Sequence, residues 1–119
     1  MLVCTALIQG DPVCDRCTCS ETTIDCTSHS LNHHPNASEW PTDKLFTDVL
    51  MDDNYLVHVT QYPPMTVFHL SLRNCAIVHI DDKAFLHLRN LTELDLSHND
   101  ITTANLNAAV FQVKTSFSR

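Results

Sequence analysis

Seven residues near the front of the chain carry its densest reactive chemistry. Cys14, Cys17, Cys19 and Cys26 follow the spacing Cys-x2-Cys-x-Cys-x6-Cys, and His29, His33 and His34 come just after. Thiolates and imidazoles are zinc ligands, whereas thiols in an oxidising compartment pair as disulfides. A Cys-x-Cys step is a poor match to the paired Cys-x2-Cys knuckles of structural zinc sites. The sequence therefore favours cross-links, with His33 and His34 as solvated loop residues ahead of a proline turn. Four cysteines allow three connectivities, and spacing does not choose among them. Elsewhere, Asp95 and His98 are the nearest thing to an acid–base pair, but no nucleophile elbow or other local catalytic signature surrounds them. Asp52 and Asp53 are adjacent carboxylates, short of the 12-residue oxygen cage of an EF-hand. The only glycine is Gly10, so a phosphate-cradling loop or dinucleotide fingerprint has no residues to build it. No cofactor, no metal and no enzymatic activity are implied.

Those groups have to be positioned by a small fold, because 119 residues suffice for one domain with a modest core. Fourteen acidic residues against seven basic ones leave a formal charge of −7. That balance argues against nucleic acid or anionic lipid as a partner, since phosphate binding needs clustered Lys and Arg. A basic or neutral protein surface is the expected partner. Residues 1–10 form a short apolar run ahead of Asp11-Pro12 and read as the h-region and cleavage site of a secretory signal peptide, without a basic n-region. A buried strand of the fold is the alternative. No later stretch approaches the ~18 consecutive apolar residues of a membrane span. If Cys4 leaves with the signal, Cys75 is the one cysteine outside the cluster. Two glycosylation sequons, Asn36-Ala37-Ser38 and Asn90-Leu91-Thr92, fit the same oxidising, extracellular compartment.

An internal repeat organises the rest. Val67-x2-Leu70-x-Leu72-x2-Cys75-x-Ile77 aligns with Leu91-x2-Leu94-x-Leu96-x2-Asn99-x-Ile101, each position 24 residues from its counterpart. A third copy, Phe46-x2-Val49-x-Met51-x2-Asn54-x-Leu56, lies 21 residues upstream. Period 2 sends Leu70 and Leu72 to one face of a strand and His69, Ser71 and Arg73 to the other. One such strand cannot bury its apolar face alone, and copies stacked in parallel bury a continuous core. Asn54 and Asn99 would turn the chain inward and satisfy buried backbone groups through their amides. Cys75 takes that place in the middle copy as a buried free thiol.

These residues resemble the leucine-rich-repeat signature L-x-x-L-x-L-x-x-N/C-x-L. Ile80, Phe85 and Leu88 occupy the places where an extracellular repeat of this family carries its convex-side I-x4-F-x2-L residues. The first and third copies keep that half less well. The cysteine cluster, with Leu31 and Pro35 after it, is similar to the cysteine-rich N-terminal cap of such proteins, so the resemblance spans residues 12–101. It implies pairing of Cys14 with Cys19 and of Cys17 with Cys26. The fold expected is an α/β repeat: a short solenoid with a parallel sheet on its concave face, a mostly irregular convex side and a disulfide-bonded cap. Its divisions would be a signal over 1–10, a cap over 11–41, about three repeats over 42–101, and an irregular tail over 102–119.

The resemblance implies an extracellular protein-recognition module of a receptor, adhesion or matrix protein, with partners docking on the concave sheet. By register that face carries Asp48, Leu50, Asp52 and Asp53 from the first repeat, His69, Ser71, Arg73 and Asn74 from the second, and Glu93, Asp95, Ser97 and His98 from the third. A partner presenting Lys or Arg to the carboxylates is expected; the plainer alternative is that these polar residues only keep the sheet soluble. A small cysteine-rich secreted inhibitor would need disulfides throughout, whereas residues 27–119 hold only Cys75. After Ile101 the pattern fades, keeping Ala109 and Phe111 near the convex phenylalanine position. An uncapped solenoid exposes an apolar end, so the chain reads as a fragment of a longer protein, with cover by the tail or by end-to-end or homophilic association as the other options.

Overall fold

The structure, a computed structural model, describes residues 12–42, 44–88 and 90–101. The expected signal over 1–10 and the tail over 102–119 lie outside the described residues. A short helix α1 (Pro12–Arg16) leads into β1 (Thr18–Cys19) and β2 (Thr23–Asp25), and a 3-10 turn covers Ala37–Glu39. The repeats supply β3 (Leu45–Leu50), β4 (His58–Val59), β5 (Thr66–Ser71), β6 (His79–Ile80) and β7 (Glu93–Asp95). The main sheet runs β1-β2-β3-β5-β7, and β4 pairs with β6 in a second, two-stranded sheet on the opposite side. Only β1–β2 is antiparallel; β2–β3, β3–β5, β5–β7 and β4–β6 are all parallel.

Register follows the alternation of side chains. Val49 faces Leu70 and Leu70 faces Leu94 across adjacent strands, and each is at most 1% exposed. Ile24 extends the same row, paired with Val49 and fully buried. Cys26, Met51, Leu72 and Leu96 form a second buried row two residues on. Leu31, Leu56 and Ile77 form a third, against which Ile101 is partly buried. Burying a Leu, Ile or Val side chain is worth about 1.5–3 kcal/mol, and these rows run without a break from the cap into the repeats. The cap is thus a half-repeat of the solenoid: Ile24-x-Cys26-x2-His29-x-Leu31 copies the strand register of the coils that follow.

A polar thread runs beside the apolar rows. Asn54 Oδ1 accepts from the Leu31 amide at 2.9 Å, and Nδ2 donates to the carbonyls of Cys26 and Met51, both at 2.8 Å. Asn99 repeats the pattern, accepting from the amides of Cys75 and Ile77 and donating to the carbonyls of Leu72 and Leu96. Each amide so joins its own coil to the one before it. Cys75 is a free, buried thiol whose Sγ donates to the Met51 carbonyl at 3.0 Å. One donor replaces the several bonds of an asparagine there, and burial pushes the thiol pKa up to about 11, which keeps it protonated and unreactive.

Every coil turns off the sheet through a left-handed residue at one repeat position: Ser28, Asp53, Asn74 and His98 all have positive φ. Asn, Asp and His tolerate this region better than other side chains. Val57 is the one β-branched residue among the described positive-φ positions, at φ 65° and closed by a bond from the His58 amide to the Leu56 carbonyl at 2.6 Å. This γ-turn is a strained form. It is held by the next coil, whose Val78 amide donates to the Val57 carbonyl at 2.8 Å.

The convex side carries β4 and β6, bends and turns. No α-helix lies in the repeats among the described residues, so the expected α/β repeat takes the form of a β-solenoid. Ile80, Phe85 and Leu88 are buried there, as their positions in the second copy imply. The first repeat is three residues shorter, and Tyr62 fills the corresponding space by stacking on Phe85 with ring centroids 6.0 Å apart. Trp40 and His34 from the cap extend this column, at 5.0 and 4.8 Å from Tyr62. His34 corrects the expectation that both loop histidines are solvated: His33 is exposed, but His34 is buried, with Nδ1 2.8 Å from Thr60 Oγ1. Burial, reinforced by nearby His58, lowers its pKa from 6.5 to about 3.

The cap is closed by disulfides Cys14–Cys19 and Cys17–Cys26, the pairing that the family resemblance implies. Cross-links over loops this short add about 2–3 kcal/mol each in the chain-entropy model. An Arg16–Glu39 ion pair at 3.1 Å ties α1 to the 3-10 turn.

Two outcomes follow from this packing. Asn54→Ala strips partners from buried groups of two coils and is expected to cost about 2–4 kcal/mol in urea unfolding; a loss under about 0.5 kcal/mol would mean that the amide is dispensable. His34 stays neutral when folded, while the unfolded chain takes up a proton near pH 6.5. Its stabilisation is therefore complete above that value and declines by about 1.4 kcal/mol per pH unit as pH falls toward 3. Melting temperatures from pH 7 to 4.5 should fall more steeply for the parent than for His34→Gln, which keeps a polar group for Thr60; parallel slopes would disprove this.

Candidate protein-recognition face

The strand register sorts the concave side chains into columns. Thr23, Asp48, His69 and Glu93 are successive partners in one column, and Asp25, Leu50, Ser71 and Asp95 in the next. Beyond the strand ends the same progression continues through Asp52, Arg73 and Ser97, then through Asp53, Asn74 and His98. Backbone bonds hold that continuation in line, since the Asp53 amide donates to the Arg73 carbonyl at 3.1 Å and the Asn74 amide to the Ser97 carbonyl at 3.0 Å. All twelve residues expected on this face therefore lie on it or along its rim.

Their exposure and bonding separate them into two groups. Ser71 and Ser97 are only 4% exposed. Each donates its hydroxyl to a carboxylate at 2.6 Å, Ser71 to Asp52 and Ser97 to Asp95. Asp52 Oδ1 also accepts from the Arg73 amide at 2.9 Å, and Asp95 Oδ1 from the Ser97 amide at 2.9 Å. These carboxylates act as turn-stabilising acceptors, because a charged acceptor of several short bonds fixes the backbone that supplies them. Asp25 does the same in the cap for the Thr27 amide. Leu50 is half-buried beside them.

The second group faces outward. His69 sits between two carboxylates, with Nδ1 2.9 Å from Asp48 Oδ1 and Nε2 4.0 Å from Glu93 Oε1, a line that crosses three strands. The Glu93 side chain is 67% exposed. On the rim, Asp53 accepts from Asn74 Nδ2 at 2.9 Å. His98 lines a shallow groove with Asp53, Asn74 and Tyr55, and Tyr55 is itself 64% exposed. Tyr55 escaped sequence reasoning, which followed the repeat register to the rim residues Asp53, Asn74 and His98 but no further along the chain. Its signal was an aromatic between the repeat Asn54 and the buried Leu56. Of the acid–base pair considered from the sequence, Asp95 accepts from Ser97 while His98 lines the rim groove.

Asp52 and Glu93 should respond differently to truncation. Asp52→Ala removes acceptors from Ser71 and Arg73 and is expected to destabilise by about 1–2 kcal/mol, whereas Glu93→Ala should stay within about 0.5 kcal/mol. Chemical denaturation of both variants measures the contrast, and equal losses would erase the distinction between bracing and free carboxylates.

Residues 66–112 match the family model described as Leucine rich repeat. The comparisons with curated proteins and with solved structures returned no significant match. The matched segment begins with β5 and includes the second and third copies, and the first copy stacks on them in the same register. Solenoid geometry and family match together support a leucine-rich-repeat protein, a fold that serves in general as a protein-interaction scaffold.

Proposed function

We propose that the chain is an extracellular recognition module, of the kind found in receptors, adhesion molecules or matrix proteins, that binds a protein carrying Lys or Arg side chains on its concave face. The observation that carries this reading is the acidic line Asp48–His69–Glu93 with Asp53 on the rim, displayed on a sheet whose backbone is already fixed. A rigid, pre-ordered surface loses little entropy on association, and the carboxylates of Asp48 and Glu93, two strand spacings or about 9.6 Å apart with His69 between them, offer a fixed pattern to basic groups. The overall charge of −7 favours the same partner by long-range attraction. Two cross-links within residues 14–26 support an oxidising compartment. Both sequon asparagines, Asn36 and Asn90, are exposed, which leaves them accessible to glycan transfer. The cap, by its disulfides and its half-repeat register, fills the role of an N-terminal cap for the solenoid.

The rival reading, a cysteine-rich inhibitor scaffold, has less behind it because the disulfides stop at Cys26 and an aliphatic core holds residues 45–101. A direct test is to secrete the chain through an oxidising pathway and screen it by biosensor against a panel of secreted and cell-surface ectodomains. The double reversal Glu93→Lys with Asp53→Lys should weaken the selected complex at least about tenfold and reduce its salt dependence. A complex indifferent to both charges and salt would refute the acidic-face reading.

A further inference from the structure

On the opposite side of the solenoid, β4 and β6 bring two imidazoles and a carboxylate together. Their register pairs His58 with His79 and Val59 with Ile80. Val59 and Ile80 are buried, so alternation sends both histidines outward, side by side, with ring centroids 4.7 Å apart. Asp81 follows two residues after His79 and returns to the same face. Its Oδ1 lies 2.6 Å from His58 Nε2 and 3.6 Å from His79 Nε2, and all three ligand atoms fall within 4.8 Å of one another. We propose that His58, His79 and Asp81 form a binding site for a divalent transition metal, with Zn2+ as its natural occupant, spanning the first and second coils.

The donor set suits that ion. Tetrahedral zinc with nitrogen and oxygen ligands at about 2.0–2.1 Å holds neighbouring donors about 3.3 Å apart, so His58 and Asp81 need separate by less than one ångström, and the two imidazole nitrogens, which lie within 4.8 Å of each other, close by at most about 1.5 Å through side-chain rotation. Two imidazoles and one carboxylate leave a fourth position open to water, as half-exposed side chains on a solvent face allow. Calcium and magnesium prefer all-oxygen sites and fit poorly. The backbone beneath is fixed from both sides. The Asp81 amide donates to the Val59 carbonyl at 2.9 Å, and the γ-turn at Val57 delivers His58 to its place. In Asp81's place the first coil has Thr60, which is engaged with His34, so the three ligands occur together at one level of the stack. Bridging two coils, the ion would raise the free energy of separating them.

The experiment is calorimetric titration of the chelator-treated, disulfide-intact chain with ZnCl2, paired with thermal melts with and without the metal. One equivalent of Zn2+ should bind and raise the melting temperature, while Mg2+ and Ca2+ leave both unchanged. Losing an outer partner of a zinc ligand costs about 10–100-fold in affinity, so His58→Ala, His79→Ala and Asp81→Asn should each lose about 100-fold or more. His29→Ala, on the exposed cap loop, should bind as the parent does. Absence of zinc binding, an equal response to Mg2+, or undiminished affinity in the His79→Ala and Asp81→Asn variants would each overturn the proposal.

Discussion

Among the described residues no strand exceeds six residues, and none has enough apolar surface to persist by itself. Ile24, Val49, Leu70 and Leu94 are buried only because each lies against the same position of the next coil. That dependence fixes register. A slip of one residue would send Val49, Leu70 and Leu94 to solvent and bury His69 and Glu93 in their place. Hydrophobic burial and strand pairing therefore impose the same solution, and everything on the two outer faces inherits its spacing from that row.

Stacking of this kind raises a second demand, since turning off the sheet after every strand leaves amides and carbonyls inside the fold. Asn54 and Asn99 meet it by joining consecutive coils with side-chain amides, and Cys75 meets it more sparsely through one sulfur donor. The middle coil recovers some of the difference from below, because Asn99 accepts from both Cys75 and Ile77. Positive φ at Asp53, Asn74 and His98 belongs to the same turn. In a chain with a single glycine, those conformations fall to residues that tolerate them, and the same residues form the rim of the candidate binding face.

Repeat spacing made the core legible from the sequence: four apolar positions and an Asn or Cys in three aligned copies named the buried rows, the strand faces and the thiol. What it concealed came from deviations between copies. Removing three residues from the first repeat displaced its convex aromatic, so Tyr62 did not align with Phe85 although it stacks on it. His34 looked solvated beside His33, because nothing local announced that Trp40 and Tyr62 would close over it. Cys26 drew attention for its cysteine chemistry, which masked the half-repeat that it completes with Ile24. On the concave face, register located all twelve residues, but a list of faces cannot tell a carboxylate that braces a turn from one that faces outward. That distinction needs the distances from Asp52 to Ser71 and from Asp95 to Ser97.

The same carboxylate chemistry serves three different ends here, and the neighbours decide which. Asp52 and Asp95 lie within reach of a serine hydroxyl and a backbone amide from the adjoining turn, so their oxygens are directed inward as fixed acceptors. Glu93 has a longer side chain and only a distant imidazole at 4.0 Å, which leaves its charge facing solvent. Asp81 lies on the convex side beside two histidines whose donors point outward. A repeat architecture makes this division easy to achieve, because the backbone supplies the same three locations in the first and second coils: a turn that needs an acceptor, a concave strand position and a convex strand position. Changing one residue at one level alters the surface there without disturbing the aliphatic rows beneath. The core is thus tightly constrained while the faces are free to vary, and specific chemistry on either side can arise from single substitutions in a fold already secured by Val49, Leu70 and Leu94.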